Sequence, residues 1–158
     1  MMMFDCEQLL PHHPLTVFHT HQSPHKFFSQ THNRHPGIEG IGGLPFIDSI
    51  DPSEIDVLLV THFHLDHAAS LPFLTEKTSF KGRIFMTHPT RAVTRLLLTD
   101  YLRLLSNRNA SEEDILYTEK DLENSMNKIE VIDFHTTMAP DDLPGLSFYA
   151  LNAGHVLG

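Results

Sequence analysis

Residues 62–67 read His-Phe-His-Leu-Asp-His, directly after Val57-Leu58-Leu59-Val60 and Thr61. A short, apolar, partly β-branched run of this kind reads as a strand buried on both faces. The polar motif begins two residues past its end. Residues 66–76 then read as a helix with Leu71, Phe73 and Leu74 apolar. A buried strand, a polar turn and a helix in that order specify an α/β layered fold. They also place the motif outside the C-terminal end of a strand, where open α/β sheets bind ligands.

His62 and His64 alternate in an extended segment, so their imidazoles project to one side. Asp66 and His67 follow as the chain turns into the helix. The first two can share one metal ion while Asp66 and His67 reach a second beside it. Imidazole with carboxylate suits zinc, and ligand type alone also allows manganese or iron. The plainer alternative is a set of surface-turn histidines without metal, which the flanking strand and helix weigh against. His155, in Asn152-Ala153-Gly154-His155-Val156-Leu157-Gly158, is the next candidate. Alone it reads as an ordinary loop histidine. Beside the first motif it is expected to converge on His62 and His64 as a further ligand, its glycines letting the backbone approach closely. His88 and His135 each end an expected strand, and for both a hydrogen-bonded or solvated histidine is the better reading. Asp48, Asp51 and Asp56 read as turn and cap residues.

Further along, Arg83–Thr87 reads as a second strand. Pro89–Leu105 reads as a helix with Val93, Leu96, Leu97 and Leu104 on its apolar side. Ser111-Glu112-Glu113-Asp114 resembles a capping box opening another helix. Glu119–Lys128 reads as helical, and Ile129–Phe134 and Leu146–Leu151 as strands. Seven of the thirteen histidines lie in the first 35 residues. From Glu7 to Arg34 there is no period of 2 or 3.6, and the expectation is a disordered loop. A histidine-rich metal tract is the alternative, disfavoured by irregular spacing and the lack of accompanying carboxylates or cysteines.

The bulk properties exclude several classes. A length of 158 residues suits one domain, and no run is long and apolar enough for a membrane span. No signal peptide is visible at Met1–Cys6. The single Cys6 cannot form an internal disulfide, which favours a reducing compartment. A net charge of −9 argues against a basic face that grips nucleic acid by counterion release alone. There is no Walker-type phosphate loop, no G-x-S-x-G and no structural-zinc cysteine pattern.

The motif, together with Lys77-Thr78-Ser79-Phe80-Lys81-Gly82-Arg83, Met86–Thr90, Tyr117–Met126 and Ala153–Gly158, resembles the β-CASP branch of the metallo-β-lactamase superfamily. Within that branch it is most similar to the endonuclease subunits of the cleavage and polyadenylation specificity factor. The paralogous Integrator-complex endonucleases come second. The resemblance covers residues 35–158. It implies part of an αββα sandwich, with residues 35–158 the N-terminal part of the domain, incomplete at its C-terminus as in a truncated fragment. Residues 1–6 would be a remnant of the first family motif, and 7–34 an insertion foreign to the family. It implies a two-zinc phosphodiesterase acting on pre-mRNA in the nucleus, with the other cleavage and polyadenylation subunits as partners and no membrane. His62, His64 and His155 would hold one zinc. Asp66 and His67 would hold the other and serve catalysis, and Asp5 would support the ligands from behind. The bridging carboxylate of the family has no counterpart in residues 1–158, so this chain by itself is expected to be inactive. A catalytically silent scaffold subunit is the alternative of a different class.

Overall fold

The structure is a computed structural model that describes residues 17–19, 26–29, 50–107, 115–152 and 154–156. Five strands make one sheet in the order β1 (Val17–His19), β2 (Lys26–Ser29), β3 (Val57–Leu59), β4 (Arg83–Thr87) and β5 (Ile129–Ile132). Strands β2 to β5 are parallel and β1 is antiparallel to β2. Parallel neighbours need crossovers, and from β3 to β5 helices supply them. Helices α1 (Leu65–Ala68) and α2 (Leu71–Lys77) join β3 to β4. Helices α3 (His88–Asn107) and α4 (Glu119–Lys128) join β4 to β5. Strands β1 and β2 fall within residues 7–34, where the composition leads to an expectation of loop. The rest of that stretch, and Asp5 and Asp48, lie outside the described residues.

Strand side chains alternate between two cores, as the period of two requires. Leu58, Ile84 and Met86 face the helical layer and pack with Leu71, Leu74, Leu98 and Met126. Val57 and Phe85 face the other way, against Ile132, Leu146 and Phe148. The Phe85 and Phe148 rings meet edge to face at 5.0 Å. The reading of β3 as buried on both faces is what its burial shows. Gly82 starts the pairing of β4 with β3: a Cβ there would lie 2.4 Å from the Ile55 carbonyl oxygen. That closeness lets Arg83 N–H donate to Asp56 O at 2.9 Å.

Several expected elements differ. The single helix over 66–76 is two helices, broken at Ser70. Pro72 has no N–H to donate to the Ala68 carbonyl, and its ring clashes with that carbonyl, so the helix restarts at Leu71. Helix α3 buries Thr90, Thr94, Leu98 and Leu102 rather than the expected leucine side. Leu96 is 69% exposed and Leu104 49%, with Leu97 also exposed and Val93 half-buried. The small Thr90 faces inward at the start of α3, its hydroxyl 2.8 Å from that of Thr87. Arg91 donates to the Met126 carbonyl at 3.0 Å, which fixes the rotation.

The expected capping box at Ser111–Asp114 lies outside the described residues. The one observed belongs to α4: Thr118 accepts from Asp121 N–H, and the Asp121 carboxylate accepts from Thr118 N–H. The strand expected over Ile129–Phe134 ends at Ile132. The strand expected over Leu146–Leu151 forms only isolated bridges, Met138 with Phe148 and Phe134 with Ala150. His135 between those partners turns at φ 62°, which breaks a continuous ladder.

Candidate metal centre

The motif leaves the sheet where Val60 N–H makes its last ladder-like bond, to Phe85 O at 3.0 Å. Residues 61–64 run on without regular structure. The His64 carbonyl then accepts from His67 N–H at 2.9 Å and Ala68 N–H at 3.0 Å, which opens α1. His62 and His64 therefore stand at the sheet's C-terminal edge, and Asp66 and His67 on the first helical turn.

Four imidazoles meet there. The His62 ring lies 4.8 Å from His64, 4.1 Å from His67 and 4.8 Å from His155, centroid to centroid, and His64 lies 5.1 Å from His155. His62, His64 and His155 each offer one nitrogen, and these nitrogens lie within 4.8 Å of one another. An Asp66 carboxylate oxygen is 3.7 Å from His67 Nε2. Thus the structure brings together His62, His64, His67 and His155 with Asp66 alongside. His88 and His135 are exposed and do not join the group. Asp51 caps a short 3-10 turn, accepting from Ser53 N–H at 2.9 Å.

His62 is the buried member. Its Nδ1 is 3.0 Å from the Thr61 hydroxyl, while its Nε2 is buried with no hydrogen-bond partner among the described residues. Its pKa is lowered to about 4, first by burial and then by the charges of His67, His64 and His155, against a smaller opposing effect of Asp66. The ring is therefore neutral at pH 7, as a metal ligand must be. In the tautomer whose Nδ1–H donates to the Thr61 hydroxyl, the Nε2 lone pair is left for an ion. A buried nitrogen without a partner costs free energy unless something completes it. The residues fit a metal ion. A tetrahedral zinc places its ligand nitrogens about 3.4 Å apart, closer than the 4.8 Å within which these three lie.

Gly154 serves this geometry differently from the expectation. A Cβ there would meet nothing within 4 Å, so close backbone approach is not its use. Its φ of 74° is the reason for glycine, and Val156, on the other side of His155, also has a positive φ of 50°. Sequence reasoning passed over Thr61 and Tyr117. Thr61 could have been noticed as a hydroxyl adjacent to the first histidine. Tyr117, whose hydroxyl donates to Ala69 O at 2.7 Å, acts across 48 residues and left no local sign.

Residues 44–158 match the metallo-beta-lactamase superfamily domain. The chain is 56% identical over 124 residues to Cleavage and polyadenylation specificity factor subunit 3-I of Arabidopsis thaliana, covering 78% of this chain and 17% of that protein. It is 54% identical over 124 residues to Endoribonuclease YSH1 of Yarrowia lipolytica, covering 78% and 14%. To Endoribonuclease YSH1 of Saccharomyces cerevisiae it is 47% identical over 129 residues, covering 78% and 16%. The chain thus spans less than a fifth of the length of these relatives. The domain match covers most of the chain, and these identities agree with its motifs: the chain belongs to the metallo-β-lactamase superfamily, in the β-CASP branch.

Proposed function

We propose that the chain is part of a zinc-dependent RNA endonuclease that cleaves pre-mRNA at its 3′ end before polyadenylation. The reading includes the nucleus as its location and the other cleavage and polyadenylation subunits as partners. Among the described residues no helix is long and apolar enough to cross a membrane. The observation that carries the reading is the imidazole group around the unpartnered, buried Nε2 of His62. Endonuclease names among the relatives support the substrate class. His62, His64 and His155 hold one zinc, and Asp66 and His67 hold a second beside it. Asp5 supports these ligands from behind, and residues 7–34 are an insertion into the family sequence. When bound, zinc supplies Lewis acidity that polarises a phosphodiester and acidifies water. The chain's own residues set the stage for that chemistry. Thr61 orients the His62 ring, burial excludes bulk water from Nε2, and the exposed His155 closes the outer side.

The converged group favours this reading over a scaffold without catalytic function. The 158-residue chain alone nonetheless lacks nuclease activity in this reading. Its described residues give three ligands to one ion and only two to the other, too few to hold the second firmly. The experiment is a chimaera in which residues 44–158 replace the matching stretch of Saccharomyces cerevisiae Endoribonuclease YSH1. It should cut a labelled pre-mRNA, and its His64→Ala form should not. The isolated chain should cut nothing above background. A well-folded chimaera without cleavage would count against the assignment, and His64-dependent cutting by the isolated chain would refute its inactivity.

A further inference from the structure

Asp66 and His67 stand on α1, a helix of four residues. One isolated turn is marginal in water, because nucleation fixes several residues for few hydrogen bonds. Its position must therefore be imposed by packing. Ala68 and Ala69 are fully buried in the helical layer, and Tyr117, 2% exposed, belongs to the same core. The Tyr117 hydroxyl donates to Ala69 O at 2.7 Å. Ala69 ends α1, with its N–H on Leu65 O at 2.8 Å, and Ser70 and Pro72 then break the helix. The bond therefore holds the carbonyl at the point where α1 would otherwise be loose.

Tyr117 is itself well anchored. Thr118 and Asp121 close the cap of α4, and Asp121 pairs with Lys77 at the end of α2 at 2.8 Å. The stretch Tyr117–Asp121 thus ties the end of α1, the end of α2 and the start of α4 together. Burial, and then nearby Tyr101, push the phenol well above its ordinary range, so the hydroxyl remains a donor at any working pH.

We propose that Tyr117 is a positioning residue for the Asp66–His67 pair, fixing α1 so that the His67 ring stays against His62 and its carboxylate neighbour stays beside it. This rests on the reading of Asp66 and His67 as holders of a second ion. Tyr117→Phe keeps the ring and removes the hydroxyl alone. Zinc titration of the chimaera carrying residues 44–158, with His67→Ala and His155→Ala as references, assigns each binding step to its ligands. The expected result is that Tyr117→Phe weakens the His67-dependent step about tenfold and leaves the His155-dependent step unchanged. Amide exchange at Ala68 and Ala69 should quicken, while that at Leu98 and Met126 stays as it was. An unchanged His67-dependent step overturns the inference alone. Parallel weakening of both steps with faster exchange at Leu98 and Met126 shows general loosening and also overturns it. A chimaera without any His67-dependent step refutes the two-ion reading, and the inference with it.

Discussion

Thr61 contributes a single hydroxyl, 3.0 Å from His62 Nδ1. That contact holds the ring in place, and in the tautomer whose Nδ1–H donates to the hydroxyl the buried Nε2 lone pair is left for an ion. Partners of this kind change metal affinity by about 10- to 100-fold. Thr61→Val, which keeps shape and removes the hydroxyl, should weaken zinc binding by about tenfold in competition with a chelator. The thermal midpoint of the metal-free chain should barely move. Equal zinc affinity in the two proteins would show that the contact does not orient His62.

Helix α3 gives the sharpest test at the scale of elements. Leu98 has no exposed surface, whereas Leu96 is 69% exposed. Leu98→Ala should cost about 2–5 kcal/mol in urea unfolding, and Leu96→Ala within about 0.5 kcal/mol. The reverse order would restore the face read from the sequence. At the start of α4, burial pushes the Asp121 carboxyl up, but hydrogen bonds from Lys77 and Thr118 outweigh it and hold its pKa at about 2, against 3.8 unperturbed. A depressed carboxyl pKa stabilises the folded chain fully above the unfolded value and loses that contribution as pH falls through the folded value. The stability gap between wild type and Asp121→Asn should therefore be constant above about pH 4 and close toward pH 2. A gap independent of pH over that range would remove Asp121 from the account.

These elements also show what a sequence can disclose. Strand β3, strand β4 and helix α4 were legible because local pattern and final burial agree. The converging histidines were legible because the strand end fixes where His62 and His64 stand. The rotation of α3 was not, because Leu96, Leu97 and Leu104 outnumber the small, inward-facing Thr90 and Thr94 in any count of apolar residues. The break at Ser70 was written in Pro72 and could have been read. The weak pairing over Leu146–Leu151 depends on the turn at His135, which no periodicity announces.

Across the whole molecule, two cores on opposite faces of one sheet leave its C-terminal edge as the place where distant segments meet. His62 and His64 come from the end of β3, His67 from the following turn, and His155 from a loop some 90 residues later by the numbering. Metal binding here is therefore a property of the assembled fold, since an unfolded chain would not present these nitrogens together. The central claim is that His62, His64 and His155 form one ligand set. It is tested most directly by titrating the metal-free chain with cobalt(II) as a spectroscopic substitute for zinc, alongside His155→Ala. The account predicts a tight first equivalent with a tetrahedral visible spectrum in wild type, and loss of both the tightness and that spectrum in the variant. An identical spectrum and affinity in His155→Ala would contradict it.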